Sequence, residues 1–258
     1  MTFPVDLHIF SRSLPAHPIF EAAGYIVGFQ TYLLLRRRST LPRVGDEPTI
    51  WIIVGCIMGA LVGSKVLAII ESFPDYWNAR DDLATWFGGK TIVGGLLGGW
   101  IGVEIIKRYL GVRARTGDLF VFPLAIGIAI GRIGCFLTGL PDHTHGKHSS
   151  LPWAVDFGDG PRHPAQLYEI VALIIIAIAL LIRSRRPFRM GDLFRWFMLS
   201  YLAFRFAVEF IKPRYTLPIV HLSAIQIACL LGALVALRQL LGREANHVRH
   251  PADPAAAE

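Results

Sequence analysis

The stretch from Phe120 to Lys147, FVFPLAIGIAIGRIGCFLTGLPDHTHGK, combines a long apolar run with a charge near its end. Arg132 interrupts the run, and the chain turns apolar again before a polar cluster that contains Asp142 and His143. A charge at bilayer depth costs about 2.5–3.5 kcal/mol on insertion scales, so it normally faces a partner or a wet cavity. The stretch therefore predicts a transmembrane helix that carries a functional arginine.

The composition of the whole chain is also typical of a membrane protein. Of the 258 residues, 53% are hydrophobic and 17% are charged, whereas soluble domains carry about 25% charged residues. Apolar runs long enough to span a bilayer predict an all-α membrane protein with about seven transmembrane helices. We place these helices at residues 18–35, 49–71, 91–106, 117–138, 165–183, 191–211 and 219–240.

Basic residues collect in every second connection, which predicts the orientation of the chain. The rich segments contain Arg36, Arg37, Arg38 and Arg43, then Lys107, Arg108, Arg113 and Arg115, then Arg183, Arg185, Arg186 and Arg189, and finally Arg238, Arg243 and Arg249. The N-terminus is therefore expected outside and the C-terminus in the cytoplasm. We expect one membrane domain over residues 1–240 and a disordered cytoplasmic tail over 241–258. Anionic lipid accounts for the net charge of +7, so no nucleic-acid partner is expected.

Polar side chains from three predicted spans are expected at the same outer depth. Arg205 and Glu209 lie four residues apart and share a helix face, which alone also fits a purely stabilising ion pair. The other members of this group are Arg132, His163, Gln166, Tyr168 and Glu169. Polar groups that converge at one depth are expected of a binding or catalytic site.

Two arginines at headgroup depth suit a phosphate, which guanidinium groups bind through paired hydrogen bonds. Nearby carboxylates and histidines can accept a proton from a nucleophile. The loop histidines fit no zinc motif, so we expect no metal and no cofactor. In the run GKTIVGGLLGGWIGVE, Gly94 and Gly95 have two interpretations, either close helix packing or a passage where lipid approaches the backbone.

Four motifs in this order resemble the prolipoprotein diacylglyceryl transferase family over residues 17 to 240. They are TIVGGLLGG, GRIGCF, LPWAVDFGDGPRHPAQLYE and YLAFRFAVEFIKPR. The resemblance implies a multi-pass protein of the bacterial inner membrane. It also implies transfer of the diacylglyceryl group of phosphatidylglycerol to the lipobox cysteine thiol of a secreted lipoprotein precursor, with release of glycerol 1-phosphate.

The resemblance further implies roles for individual residues. Arg132 and Arg205 correspond to essential arginines that would hold the lipid phosphate, and Glu209 would orient Arg205. His163 and Glu169 are candidates for the catalytic acid and base. The substrate-binding candidates are Gln166, Tyr168, Gly94, Gly95 and Gly134 and, by their proximity to the site and not by the resemblance, Asp142 and His143.

Three positions depart from the family pattern, and all of them concern the handling of the thiol. Cys135 stands where an asparagine is usual, Leu140 where a glutamate is usual, and Val93 where many members have a histidine. Asp142, His143 or His145 is then a possible replacement for the missing acid or base. Two alternatives therefore stay open: a non-catalytic protein that binds or passes anionic lipid, and a transferase with a different acceptor.

Overall fold

The computed structural model describes residues 3–9, 12–39, 44–82, 86, 88–213, 215–217, 221–242 and 248–249. Most of these residues are helical, as the apolar runs predict. The helices are α1 (Ala16–Arg38), α2 (Asp46–Glu71), α3 (Phe73–Asn78), α4 (Ile92–Tyr109), α5 (Val121–Thr138), α6 (Ala165–Ser184), α7 (Asp192–Val208) and α8 (Ala224–Leu241). Short 3₁₀ turns occupy Gly117–Phe120, Leu140–Asp142 and Glu209–Ile211.

Four helical segments in the described part of the chain are long and apolar enough to cross a membrane. They are Asp46–Glu71, Gly117–Thr138, Ala165–Ser184 and Ala224–Leu241. The prediction of a helical membrane protein is thereby confirmed. A long helix covers most of each of the seven predicted segments, but the number of spans and their orientation stay predictions. Arg43, Arg243 and most of the predicted tail, 243–247 and 250–258, lie outside the described residues.

Within the described residues, three short antiparallel ribbons accompany the helices. Strand β1 (Asp6–Ile9) pairs with β2 (Arg12–Pro15), and the register places Asp6 opposite Pro15. Strand β3 (Val155–Asp156) pairs with β4 (Pro161–Arg162), and β5 (Phe188–Arg189) pairs with β6 (Val248–Arg249). The second ribbon lies in the connection that leads to α6 and so fixes the segment before the His-Pro-Ala-Gln motif.

The chain forms two compact units. Unit one contains residues 1–39, 115–213 and 236–258, and unit two contains 40–114 and 214–235. The prediction of a single membrane domain over 1–240 stays a prediction. All charged residues that the sequence analysis places in the candidate site belong to unit one, whereas Gly94 and Gly95 belong to unit two.

In unit one, α1 packs closely against α5 because glycines face each other. A Cβ atom on Gly24 would lie 2.6 Å from the carbonyl oxygen of Gly127, and one on Gly134 would lie 2.8 Å from Cβ of Phe20. Real Cβ atoms do not approach that closely, so this contact is possible only because Gly24 and Gly134 have no side chain. This packing brings the start of α1 next to the end of α5.

The start of α7 is held by a buried carboxylate from the preceding part of unit one. Asp118 accepts hydrogen bonds from the backbone N–H of Gly191 at 2.6 Å and of Phe194 at 3.0 Å. These are N–H groups that the first turn of a helix leaves without an internal partner. Asp118 therefore positions the helix that carries Arg205.

Unit two is built around a contact between α2 and α4 that we call the glycine contact. Its members are Gly55, Gly59 and Gly63 of α2 with Gly94, Gly98 and Gly102 of α4. A Cβ atom on any of the three α4 glycines would collide with a carbonyl oxygen of α2. Small residues let the two backbones touch, which is a common mode of helix association in lipid.

Candidate active site

Arg132 and Arg205 converge on one carboxylate. Nε of Arg132, from α5, lies 2.9 Å from Oε2 of Glu169, and Nη1 of Arg205, from α7, lies 3.1 Å from the same oxygen. Glu169 comes from α6 and is 1% exposed, while the arginines are 5% and 4% exposed. Three helices therefore bring two guanidinium groups to a single buried point.

Tyr201 of α7 and Glu209 of the 3₁₀ turn that follows it complete this group. We call it the arginine cluster: Arg132, Glu169, Tyr201, Arg205 and Glu209. The Tyr201 hydroxyl donates to Oε1 of Glu169 at 2.6 Å, and Nη2 of Arg205 donates to Oε2 of Glu209 at 3.1 Å. Tyr201, Arg205 and Glu209 follow each other at four-residue spacing and thus share one helix face. The Arg205–Glu209 pair is present, but Arg205 also bonds to a second helix, so it is part of a larger network.

Several polar atoms around the cluster have no hydrogen-bond partner within the described residues. Both atoms of the Gln166 side-chain amide and Nε of Arg205 are buried in this state. Nε of Arg132 forms an ion pair with Glu169 that lacks the alignment of a hydrogen bond. Buried polar atoms normally have partners, and a group of open donors suits an anionic ligand.

Lys212 follows the 3₁₀ turn that contains Glu209 and is 8% exposed. Burial, followed by the positive charge of Arg205, lowers the pKa of Lys212 to about 8. Its charge acts on Arg132, Glu169 and Glu209 as well. Lys212 is therefore a titratable positive charge at the edge of the arginine cluster.

The residues of the His-Pro-Ala-Gln-Leu-Tyr-Glu segment fall into two groups. Gln166 and Glu169 are buried one helical turn apart in α6. Tyr168 instead accepts a hydrogen bond from Nε1 of Trp153 at 2.8 Å, and its hydroxyl lies 3.1 Å from Nδ1 of His163. His163 therefore sits in an aromatic hydrogen-bonded chain with Tyr168, and its predicted catalytic role stays a prediction.

Asp142 lies in a second cluster, next to the arginines. Its Oδ1 is 3.0 Å from Nδ1 of His17, and its other oxygen accepts a hydrogen bond from the Thr144 hydroxyl. Cys135, one turn after Arg132, has its Sγ 3.6 Å from Nη1 of that arginine. His17, Cys135 and Asp142 each contribute one ligand atom, and these three atoms lie within 4.8 Å of one another.

The two loop histidines proposed as replacements have different environments. His143 is exposed, and its backbone has a positive φ of 53°. His145 is buried beside the ring of Phe157 at 6.2 Å between centroids. Burial, together with the charge of Arg162, lowers the pKa of His145. Of the three candidates, Asp142 is the one that contacts His17, another titratable side chain of this second cluster.

The three glycine candidates lie in helix contacts. Gly134 packs against His17 and Phe20 of α1, and Gly94 packs against Gly63 of α2. A Cβ atom on Gly95 would meet atoms of α2 only at 3.8 Å, an ordinary contact. The packing interpretation thus accounts for Gly94 and Gly134, and their predicted substrate contacts stay predictions.

Three members of these clusters were not predicted from the sequence: Tyr201, Lys212 and His17. Tyr201 lies four residues before Arg205, so helical spacing is a signal that identifies it. His17 has no such signal, because only the packing of α1 on α5 brings it to Cys135.

Comparison with known proteins identifies the family to which the chain belongs. The family model for prolipoprotein diacylglyceryl transferase matches residues 4–241. The chain belongs to the prolipoprotein diacylglyceryl transferase family. The resemblance found in the sequence motifs is thus confirmed, and every residue of the arginine cluster lies in the matched range.

Curated relatives carry the name phosphatidylglycerol–prolipoprotein diacylglyceryl transferase. One from Nitratidesulfovibrio vulgaris strain DP4 is 34% identical over 200 residues, which cover 73% of this chain and 74% of the relative. One from Methylococcus capsulatus strain Bath is 33% identical over 233 residues, covering 84% and 85%. One from Oleidesulfovibrio alaskensis strain G20 is 33% identical over 235 residues, covering 84% and 83%.

Proposed function

We propose that this member of the prolipoprotein diacylglyceryl transferase family transfers the diacylglyceryl group of phosphatidylglycerol to a cysteine thiol. The acceptor is the lipobox cysteine of a secreted lipoprotein precursor, and glycerol 1-phosphate is released. The observation that carries this proposal is the convergence of Arg132 and Arg205 on Glu169.

The charge of the site supports an anionic substrate. Arg132, Arg205 and Lys212 supply three positive charges, while Glu169 and Glu209 supply two negative charges. One positive charge is left over when Lys212 is protonated. The phosphodiester of phosphatidylglycerol carries one negative charge, so its binding would bring the site to neutrality.

The arginines also suit the change in charge during the reaction. When the bond between the glycerol carbon of the diacylglyceryl group and the phosphate oxygen breaks, the phosphate gains a second negative charge. Donors already held in place at the point where charge develops lower the barrier, because they need no reorganisation. Glu169 and Glu209 are positioning residues in this scheme, since they hold the guanidinium groups, and the Gln166 amide is a donor for the headgroup.

The membrane setting proposed for this reaction has seven spans, with the N-terminus outside and the C-terminus in the cytoplasm. The protein would then reside in the bacterial inner membrane, where phosphatidylglycerol and other membrane lipids surround it. The precursor would reach the site from the outer face. His163 and Tyr168 would contact a substrate there, and His143 and the Gly94–Gly95 pair remain substrate-binding candidates.

A reconstituted assay tests the proposal. Purified protein is mixed with phosphatidylglycerol vesicles and a lipobox peptide, and the mass of the peptide is followed. We expect a gain of one diacylglyceryl group, its loss in Arg132→Ala, and its retention in Arg195→Ala. Arg195 is a matched control because it forms an ion pair with Asp192 at 2.8 Å, away from the cluster.

The alternatives give other results in the same assay. Phosphatidylglycerol that binds without any change in peptide mass would indicate a non-catalytic lipid-binding protein. Modification of another thiol or amine acceptor, but not of the lipobox peptide, would indicate a transferase with a different acceptor. Transfer at the wild-type rate by Arg132→Ala would contradict the role of that arginine.

A further inference from the structure

His17, Cys135 and Asp142 form a compact group of three different metal-ligand types. The imidazole, thiol and carboxylate ligand atoms lie within 4.8 Å of one another. Zinc bonds of about 2.0–2.3 Å in tetrahedral geometry place ligand atoms about 3.3–3.8 Å apart. Side-chain rotation that closes the widest gap by about 1 Å would therefore produce three zinc ligands.

The orientation of His17 favours a metal over a simple ion pair. Its Nδ1 lies 3.0 Å from Oδ1 of Asp142, yet it is buried without an aligned hydrogen bond to any described residue. On the other side of the ring, Nε2 lies 3.6 Å from Oε2 of Glu21. A carboxylate behind the second ring nitrogen is the usual support of a metal-bound histidine.

The surroundings hold this group in place. Cys135 is 8% exposed, and the Asp142 side chain is 9% exposed. Gly134 allows the backbone of His17 to approach, because a Cβ at Gly134 would lie 3.2 Å from Cα of His17. The Thr144 hydroxyl donates to the second oxygen of Asp142. Three protein ligands leave the fourth position of a tetrahedral metal open for a substrate.

We propose that His17, Cys135 and Asp142 bind one zinc ion whose fourth position takes the acceptor thiol. This inference rests on the proposed function for the identity of the acceptor, but the metal site itself does not.

The location of the site relative to Arg132 gives the metal a chemical role. Sγ of Cys135 lies 3.6 Å from Nη1 of Arg132, the arginine proposed to hold the lipid phosphate. The acceptor thiol in the fourth zinc position loses its proton to solvent water and becomes the nucleophile, because zinc stabilises the thiolate. The thiolate sulfur then forms a bond to the glycerol carbon. The bond between that carbon and the phosphate oxygen breaks, and its electron pair leaves with glycerol 1-phosphate.

Cobalt(II) titration of the full-length protein in detergent tests the metal site without any need for activity. We expect one equivalent of cobalt to bind with a sulfur-to-metal charge-transfer band, and zinc to displace it. The band should disappear in Cys135→Ser, and binding should weaken at least tenfold in Asp142→Asn. Cys56→Ser is the matched control and should behave like the wild type, since Cys56 belongs to unit two.

Addition of the lipobox peptide without lipid should shift the cobalt spectrum, because its thiol becomes the fourth ligand. A protein that binds no stoichiometric cobalt, or keeps the band in Cys135→Ser, would overturn the proposal. Full transfer activity in chelator-treated, metal-free protein would overturn the role of the metal in the reaction. Metal binding and the spectral shift without any transfer would support the site while contradicting the proposed function.

Discussion

The arginine cluster of unit one and the glycine contact of unit two both depend on residues that depart from the apolar pattern of their helices. The cluster is built from charged side chains, whereas the glycine contact is built from residues without side chains. The cluster places two guanidinium groups and two carboxylates in a buried network that leaves donors open. The glycine contact removes side chains so that two backbones touch, and it leaves little room for a ligand at Gly94 or Gly98. The buried charges are therefore suited to binding a ligand, whereas the small residues account for packing.

The largest effect is expected for a change in the arginine cluster, at Glu169. Glu169→Gln removes the carboxylate that both arginines share, so two buried positive charges lose their common partner. We expect transfer activity to fall at least 100-fold and the free energy of unfolding to fall by about 3–5 kcal/mol. Activity is measured with the lipobox peptide and stability by unfolding in detergent.

The matched control for this change is Glu104→Gln in α4. Glu104 pairs with Lys107 at 3.2 Å, but its side chain is 46% exposed. Solvent screens the exposed Glu104 carboxylate, so its loss should cost about 0–1 kcal/mol although the Lys107 side chain is 9% exposed, and this variant should stay close to the wild type. Equal behaviour of the two variants would contradict the central position given to Glu169.

A smaller effect is expected for Arg205→Lys, which keeps the charge but not its geometry. The guanidinium group donates to Glu169 and Glu209 at once, and a lysine ammonium cannot reproduce this planar fork. We expect kcat/KM for phosphatidylglycerol to fall ~30-fold, equivalent to about 2 kcal/mol. Arg195→Lys on the same helix should change it less than twofold. If both lysine variants were equally active, charge alone would suffice.

The glycine contact is tested by two alanine variants of one helix. Gly98→Ala would push a methyl group into the backbone of Gly59, and we expect a loss of about 1–3 kcal/mol in unfolding free energy. Gly95→Ala meets only ordinary contacts and should be neutral or slightly stabilising, since alanine favours helix. Thermal unfolding in detergent measures both. Loss of activity in a fully stable Gly95→Ala protein would instead favour the lipid-passage interpretation.

The smallest expected effect concerns pH and Lys212. Its pKa of about 8 lies below the usual lysine value because of burial and Arg205, so it loses its proton as the pH rises through 8. The excess positive charge then disappears, and kcat/KM for phosphatidylglycerol should decline relative to Lys212→Arg, which stays charged. The ratio of the wild-type kcat/KM to that of Lys212→Arg should fall several-fold between pH 6.5 and pH 9.5. A constant ratio would show that Lys212 does not act on the lipid.

Much of the fold follows from the sequence because hydrophobic runs are local. The predicted segment 117–138 coincides with the 3₁₀ turn and α5, and the predicted segment 165–183 with α6. The short helix Phe73–Asn78 and the β-ribbons were not predicted, because brief polar segments have no such periodicity. The division into two units was also not predicted, since it depends on which helices pack together.

The site was predictable where a charge entered an apolar run. Arg132, Arg205 and Glu209 stand out for this reason, and Glu169 stands out by the order of its motif. The contact of both arginines with the Glu169 carboxylate depends on how three helices pack, which residue spacing does not predict. His17 illustrates the limit most clearly, since the closeness of α1 and α5, through Gly24, Gly127 and Gly134, places it beside Cys135.

The most direct measurement of the central claim is the relative affinity for charged and uncharged lipid. Purified wild-type protein and Arg132→Gln are titrated with phosphatidylglycerol and with diacylglycerol of the same acyl chains. We expect the wild type to prefer phosphatidylglycerol by at least tenfold and Arg132→Gln to lose this preference. An unchanged preference in Arg132→Gln would contradict the claim that the arginine cluster receives the lipid phosphate.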